Sequence, residues 1–143
     1  MILKDVSFVI EPKQTCAFVG ATGAGKTTIL GLIIRNYDIQ KGQILIDGID
    51  IKHIKIKSLR KAIGQMLQDV FLFSGTIKNN ITLREDSFSD EDVQEVCKYV
   101  NADKFINRLE HKYDEEVVER GENLSQGQRQ LLSFARTVLH KPQ

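Results

Sequence analysis

One glycine-rich stretch decides the fold of this sequence: Gly20-Ala21-Thr22-Gly23-Ala24-Gly25-Lys26-Thr27. A short apolar run over residues 15–19 ends where the glycines begin, and apolar residues recur at helical spacing after Lys26. A strand followed by a glycine-rich turn and a helix is typical of a parallel α/β unit. The chain is therefore predicted to be an α/β protein built around this turn.

The spacing Gly-x-x-x-x-Gly-Lys-Thr in this stretch is the Walker A pattern, which indicates a loop that holds phosphate groups. Glycines let backbone N–H groups approach a phosphate, and the start of the following helix adds partial positive charge. Lys26 is expected to neutralise charge on the β- and γ-phosphates of ATP, and the Thr27 hydroxyl is expected to ligate Mg²⁺. The predicted nucleotide-binding residues are Gly20, Ala21, Thr22, Gly23, Ala24, Gly25, Lys26, Thr27 and Thr28. A dinucleotide-binding turn does not fit, because Thr28 stands where that motif needs its third glycine.

The composition narrows the class of protein. The chain has 20 Lys and Arg against 19 Asp and Glu, so we expect no nucleic-acid partner. Cys16 and Cys97 lie far apart and in no C-x-x-C pattern, which argues against a disulfide framework or a structural zinc site and favours a reducing cytosolic setting. No apolar stretch approaches the roughly 20 residues that cross a bilayer. If the protein works at a membrane, we expect something else to anchor it.

Four further elements are predicted from local patterns. Residues 2–10 alternate and indicate a strand, and residues 42–51 form two alternating arms around an Asp-Gly pair, which indicates a hairpin. The spacing of Ser89 and Asp92 is that of a capping box at the start of a helix. An apolar stripe indicates that the last helix begins near Ser125.

The segment Leu124-Ser125-Gln126-Gly127-Gln128-Arg129-Gln130 resembles the signature motif of ATP-binding cassette (ABC) proteins, usually written LSGGQ. It departs from that motif at Gln126, where glycine is commonest. The resemblance implies that the Ser125 hydroxyl and the N–H groups at a helix start form a second anion site, which faces the γ-phosphate held by another subunit. The binding residues implied there are Ser125, Gln126, Gly127 and Gln128. A small-molecule kinase would leave this segment unexplained.

Residues 68–77 look like the Q-loop of ABC exporters. The resemblance implies that Gln68 approaches Mg²⁺ and the attacking water, so Gln68 joins Lys26 as an implied catalytic residue and Thr27 as an implied metal ligand. Phe71 and Phe73 have two interpretations. They are core aromatics, which is the favoured one, or they meet a transmembrane domain as in the family.

Two other segments match the family with departures. The run Val117-Val118-Glu119-Arg120-Gly121 is similar to the exporter X-loop, with Val118 in place of the first glycine. Its Glu119 and Arg120 could equally be a solvated charge pair. In Pro12-Lys13-Gln14 the family has Pro-Gly-Glu, so Lys13 is expected to cost about 1 kcal/mol if the turn requires a positive φ.

The resemblance covers essentially the whole chain and implies a partial nucleotide-binding domain over residues 1–143. It comprises a phosphate-loop core with the hairpin and the Q-loop over 1–75, and a helical subdomain with the signature helix over 76–143. The family's final sheet strands, including the Walker B strand with its Asp and Glu, lie beyond the last residue given. Ile44-Leu45-Ile46-Asp47 has the form of a Walker B strand, but its Asp-Gly pair fits a hairpin turn better.

The function implied by the resemblance is that of an ATPase subunit of an exporter, with ATP and Mg²⁺ as cofactors. Its partners would be a second cassette, identical or different, in a head-to-tail dimer, and a transmembrane domain that holds it at the cytoplasmic face of the membrane. The alternative, for these residues by themselves, is an ATP-binding fragment that does not hydrolyse ATP because the catalytic Glu is not among them.

Overall fold

The computed structural model describes residues 3–66 and 69–140. The chain divides into two compact units, Met1–Lys61 and Ala62–Gln143. The glycine-rich stretch belongs to the first unit, and the segment 124–130 belongs to the second. The two sets of predicted binding residues therefore lie on separate structural units.

The first unit contains the glycine-rich loop, a helix and a hairpin. Its elements are helix α1 (Lys26–Ile33), strands β1 (Leu45–Ile46) and β2 (Ile49–Asp50), a 3₁₀ turn (Ile51–His53) and helix α2 (Ile56–Ala62), which ends at the junction with the second unit. Ile34, Ile51 and Leu59 are its buried apolar side chains. Arg35 donates from Nη1 to the Ile51 carbonyl at 3.0 Å and so ties the end of α1 to the segment after the hairpin.

The predicted hairpin is confirmed. Its strands are antiparallel, with Ile46 opposite Ile49. The two turn residues Asp47 and Gly48 have φ values of 49° and 78°, and two successive positive φ values are what a type I′ hairpin turn needs. Asp47 is exposed at this turn, which agrees with its interpretation as a turn residue.

The strands predicted over residues 2–10 and 15–19 are not found in the part of the chain that the structure describes. Residues 3–19 form no strand ladder, and both sheets among the described residues are antiparallel pairs. Val9 and Val19 are 80% and 90% exposed. A β-strand needs a neighbouring strand that pairs with its N–H and C=O groups, and the described residues provide no such neighbour for residues 3–19. The apolar pattern alone could not supply that neighbour.

The second unit is built on its last helix. Its elements are strand β3 (Gly75–Thr76), helices α3 (Ile77–Thr82), α4 (Asp90–Tyr99) and α5 (Asp103–Ile106), a 3₁₀ turn (Lys112–Asp114), strand β4 (Glu116–Val117), a second 3₁₀ turn (Glu119–Gly121) and helix α6 (Gln126–Leu139). Strands β3 and β4 pair antiparallel. Helices α3 and α4 both pack on α6. The core between them is formed by buried side chains from all of these helices, including Ile77, Ile81, Val93, Val96, Cys97, Leu132 and Ala135.

Both predicted helix starts are confirmed with complete capping boxes. At α4 the Ser89 N–H donates to Asp92 Oδ2 at 2.9 Å, and the Asp92 N–H donates to Ser89 Oγ at 3.1 Å. At α6 the Ser125 N–H donates to Gln128 Oε1 at 2.8 Å, and the Gln128 N–H donates to Ser125 Oγ at 3.2 Å. A cap of this kind stabilises a helix by about 1 kcal/mol. The start of α6 is therefore fixed by its own sequence.

The turn at Pro12 places a lysine in the left-handed region. Lys13 has a φ of 64°, and the Gln14 N–H donates to the Glu11 carbonyl at 3.0 Å. A proline followed by a positive φ is a type II turn, in which the third position favours glycine because a Cβ is strained there. The positive φ on which the expected strain at Lys13 depends is therefore present.

We expect Lys13→Gly to raise the free energy of unfolding by up to about 1 kcal/mol, because it removes the Cβ that opposes a positive φ. Urea unfolding of the wild type and the variant measures the difference. Lys13→Ala is the matched control, since it removes the same charge and keeps the Cβ. An equal gain in the two variants would show that loss of charge, and not relief of strain, is the cause.

A tightly packed glycine lies just before α6. Gly121 has a φ of 67°, and a Cβ placed on it would lie 2.7 Å from Leu72 Cδ1 and 3.1 Å from Arg129 Cδ. Gly127, in the first turn of α6, has nothing within 4 Å of the same hypothetical atom. Only the first of these two positions therefore requires glycine for packing.

We expect Gly121→Ala to lower the free energy of unfolding by about 1–3 kcal/mol, the usual cost of overpacking, with backbone strain in addition. Gly127→Ala is the matched control and should lose no stability, since alanine is favoured over glycine in a helix by about 1 kcal/mol. Guanidinium unfolding of the two variants tests this. Similar losses from both would contradict the packing argument.

Candidate phosphate-binding site

The loop before α1 takes its shape from its glycines. Gly23 and Gly25 have φ values of 84° and 89°, and Gly25 is the N-cap of α1. The Ala24 N–H donates to the Ala21 carbonyl at 3.1 Å and closes a turn inside the loop. Side chains with a Cβ are strained at both glycine positions. This backbone path explains why the sequence has glycine there.

Lys26 folds back over the loop that precedes it. Its Nζ donates to the Gly20 carbonyl at 2.7 Å and to the Ala21 carbonyl at 2.8 Å. The ammonium group is thus held at the start of the loop by two short hydrogen bonds, although the backbone of Lys26 lies at the end of the loop, where α1 begins. The loop and the lysine place a positive charge next to a curved segment of backbone.

The start of α1 adds N–H donors that attract anions, as the Lys26 ammonium does. The first N–H groups of a helix have no partner within it, and those of Lys26, Thr27 and Thr28 have no other partner among the described residues. The first turn contains no acidic residue, so nothing there offsets the positive end of the helix dipole. The loop is exposed over residues 20–24. This end of the first unit can therefore accept an anion from solvent.

The chemistry of Thr27 fits a magnesium ion that arrives with a nucleotide. Its hydroxyl is exposed and has no hydrogen-bond partner in the ranges 3–66 and 69–140. Mg²⁺ bound to phosphates takes only one or two protein oxygens and keeps several waters. A larger ligand set is not needed, and the described residues contain no group of three His, Cys, Asp or Glu that could hold a metal. Gln68, the other predicted ligand, lies outside the described residues.

The segment that resembles the signature motif forms the start of α6. Ser125, Gln126 and Gly127 are exposed. The Ser125 oxygen accepts the Gln128 N–H, which leaves its hydroxyl proton free to donate. The Gln128 amide oxygen is occupied, because it accepts the Ser125 N–H. In the structure Gln128 therefore acts as a cap, and the donors that face solvent come from the three residues before it.

The loop before this helix carries two solvated charges. Glu119 and Arg120 are both exposed, and no ion pair joins them in the described part of the chain. Behind them Arg129 donates from Nη1 to the Gly121 carbonyl at 3.2 Å and to the Leu124 carbonyl at 3.0 Å. The loop is fixed by this arginine on α6, which the sequence did not single out for that role.

The favoured interpretation of Phe71 and Phe73 as core aromatics is wrong. They are 51% and 52% exposed, while Leu72 between them is completely buried. Their rings contact each other edge to face, with centroids 5.1 Å apart. In an extended segment successive side chains alternate in direction, so the burial of Leu72 turns both rings outward. We call Phe71 and Phe73 the aromatic pair.

Sequence reasoning also missed two polar residues that hold this segment. Asn80 is 2% exposed within α3, and its amide bonds to both the N–H and the carbonyl of Phe73 at 2.8 Å. Arg136 on α6 donates from Nε to the Asn80 carbonyl at 2.8 Å. In the sequence, Asn80 is only an asparagine beside apolar residues that repeat at helical spacing. This pattern does not indicate which residues its side chain binds.

The two cysteines differ in environment. Cys16 is exposed, Cys97 is buried, and both are free thiols. Burial raises the pKa of the Cys97 thiol to about 12, although a hydrogen bond with Tyr113 opposes this rise. Cys97 is therefore a neutral core side chain at physiological pH. Across the described residues we also find no helix with the length and apolarity that a membrane crossing requires.

Comparisons with known proteins agree with the geometry. The ABC transporter family matches residues 3–143. An ABC transporter ATP-binding protein of Streptococcus pneumoniae serotype 4 is 48% identical over 141 residues, which are 99% of this chain and 24% of the relative. A Staphylococcus aureus protein (strain bovine RF122), named for multidrug export as an ATP-binding/permease protein, is 52% identical over 141 residues with the same coverage.

A solved structure is similar as well. The structure of a bacterial Atm1-family ABC exporter with ATP bound matches 85% of this chain and 22% of its own, with a TM-score of 0.81 and 45% identity. The chain spans about a quarter of the length of the curated relatives it matches. The family match includes both the glycine-rich loop and the segment 124–130. The predicted ABC-type nucleotide-binding fold is confirmed, and the chain belongs to the ABC transporter family.

Proposed function

We propose that this chain binds ATP with Mg²⁺ through residues 20–28 and acts as the nucleotide-binding domain of an ABC exporter. The observation that carries the proposal is the position of Lys26, whose ammonium lies 2.7 Å from the Gly20 carbonyl and 2.8 Å from the Ala21 carbonyl. This places a cation at a loop whose helix start has unpaired N–H donors. Together they match the charge and curvature of a nucleotide's terminal phosphates.

Each residue of the loop would have one task. The backbone N–H groups of Gly23, Gly25, Lys26, Thr27 and Thr28 bind phosphate oxygens, and the Lys26 ammonium neutralises charge on the β- and γ-phosphates. Thr27 holds Mg²⁺, which supplies charge neutralisation when it is bound. Because Lys26 is already directed toward the loop, nucleotide binding requires only a local exchange of hydrogen bonds by its ammonium group.

Hydrolysis in this proposal uses a second copy or a related cassette placed head to tail. The partner's signature helix presents the Ser125 hydroxyl and the N–H groups of Gln126 and Gly127 to the γ-phosphate. Donors fixed in this way stabilise the negative charge that develops as water attacks in line. Gln68 positions that water. The exposure of residues 125–127 supports this role, since such a surface is accessible to a partner.

The aromatic pair supports a contact with a transmembrane domain. Two half-exposed phenylalanines that touch each other form an apolar surface of the kind enriched in protein interfaces. The Staphylococcus aureus relative is named as an ATP-binding/permease protein. We therefore propose that this surface meets the membrane domain of the exporter and holds the chain at the cytoplasmic face.

ATP binding can be tested directly with one lysine variant. Lys26→Ala should weaken the affinity for a fluorescent ATP analogue at least tenfold, because a charge-assisted hydrogen bond is worth about 1.5–3 kcal/mol. The exposed Lys41 is the matched control, and Lys41→Ala should bind like the wild type. Equal affinities for the two variants would overturn the assignment of the loop.

A second measurement separates binding from hydrolysis. The general base implied by the family resemblance is not among these 143 residues, so we expect the chain alone to release phosphate from ATP at the background rate. A phosphate-release assay with saturating ATP and Mg²⁺ checks this. Release well above background that disappears in Lys26→Ala would contradict the alternative of a binding segment without hydrolysis.

A further inference from the structure

The aromatic pair lies in a segment that lacks the usual support of a sheet. Residues 70–73 form no strand, and β3 begins only at Gly75. Nevertheless Leu72 is fully buried and the two rings are in edge-to-face contact. Side chains from elsewhere in the second unit must therefore fix this backbone.

Asn80 takes the place of a neighbouring strand. Its Oδ1 accepts the Phe73 N–H at 2.8 Å, and its Nδ2 donates to the Phe73 carbonyl at 2.8 Å and to the Thr76 carbonyl at 3.1 Å. One donor and one acceptor directed at the same residue reproduce a hydrogen-bonded pair of an antiparallel ladder. Because Asn80 is buried, water does not compete for these bonds.

Arg136 joins this arrangement to α6. Its Nε donates to the Asn80 carbonyl at 2.8 Å, its Nη1 to the Phe71 carbonyl at 3.2 Å and its Nη2 to Asn80 Oδ1 at 3.4 Å. Its Cζ also lies 6.0 Å from the centroid of the Phe73 ring. A planar guanidinium can direct three donors at once, whereas a lysine ammonium is a point charge on a flexible stem. The arginine thus contacts both residues of the aromatic pair and the asparagine that holds them.

The same helix begins at the predicted signature segment. Ser125 caps α6 and Arg136 lies near its other end, so about 16 Å of rigid helix separates the two residues. Burial lowers the pKa of Arg136 below its ordinary value, and a guanidinium remains charged under all physiological conditions. A displacement of α6 would therefore act on the Phe71 carbonyl and on Asn80 through fixed bonds.

We propose that Arg136 and Asn80 are positioning residues that clamp the aromatic pair to helix α6. The surface formed by the two rings and the second anion site at residues 125–127 then move as one body. The clamp itself stands on the contacts within the second unit. Only its purpose, to pass movement between nucleotide and membrane domain, rests on the function proposed above. Neither residue touches a phosphate in this proposal.

The test is hydrogen exchange in the full chain without nucleotide, read by NMR at the Phe73 amide. Arg136→Lys keeps the positive charge and removes the planar guanidinium with its three directed donors. It should speed hydrogen exchange at the Phe73 amide about tenfold, the factor expected when hydrogen bonds from a charged donor are lost. Arg129→Lys is the matched control, because it makes the same change on the same helix at an arginine that binds other carbonyls. It should leave Phe73 unaffected.

Two results would overturn the clamp. One is an unchanged Phe73 exchange rate in folded Arg136→Lys, and the other is equal acceleration in Arg129→Lys. If Arg136→Lys does not fold, Asn80→Asp replaces it, since aspartate keeps the acceptor and loses the donors to Phe73 and Thr76. The ring-to-ring nuclear Overhauser effect of the aromatic pair should then weaken, and an unchanged effect would count against the clamp.

Lys26→Ala separates this inference from the proposed function. It should lose ATP affinity and leave Phe73 exchange unchanged, because the Lys26 ammonium binds the Gly20 and Ala21 carbonyls and takes no part in the bonds that hold Phe73. A failure of ATP binding in the wild type would remove the function and leave the exchange result standing. An unaltered exchange rate in both clamp variants would remove the clamp and leave ATP binding standing.

Discussion

The second unit depends on the long helix α6, which satisfies two demands with different side chains. Its apolar face buries Leu132 and Ala135 completely, which is the main source of stability for a small core. Its polar edge carries Arg129 and Arg136, whose guanidinium groups bind carbonyls in the segment before α6 and in the segment before β3. The Gly121 carbonyl, which is partly buried, would otherwise lose its hydrogen bond. The helix therefore organises both the core and the loops around it.

Features encoded within a few residues could be predicted from the sequence. The hairpin follows from Asp47 and Gly48, since a two-residue turn restricts both φ values and few residue types tolerate them. The helix starts at Ser89 and Ser125 follow from a side chain three residues later that returns the hydrogen bond. The strain at Lys13 is of the same local kind. The glycine-rich loop belongs here as well, because its geometry is set by its own backbone.

Features that depend on distant partners could not be predicted in this way. The strands expected before the loop need a neighbour that no local pattern supplies. The exposure of Phe71 and Phe73 follows from the burial of Leu72 and from bonds to Asn80 and Arg136, which come from two other helices. An apolar residue type indicates that burial is favourable, but it does not indicate which of the adjacent side chains Phe71, Leu72 and Phe73 is buried. Gln68, which the resemblance assigned to catalysis, keeps that role as a prediction.

The contrast between the two cysteines has a practical consequence for studying the loop. Cys97 is buried and neutral, so its thiol reacts slowly with alkylating reagents at neutral pH. Cys16 is exposed and lies only a few residues before Gly20. A maleimide dye would therefore label the native chain at one place without any engineered cysteine. The fluorescence of that dye would report on the backbone just ahead of the glycine-rich stretch.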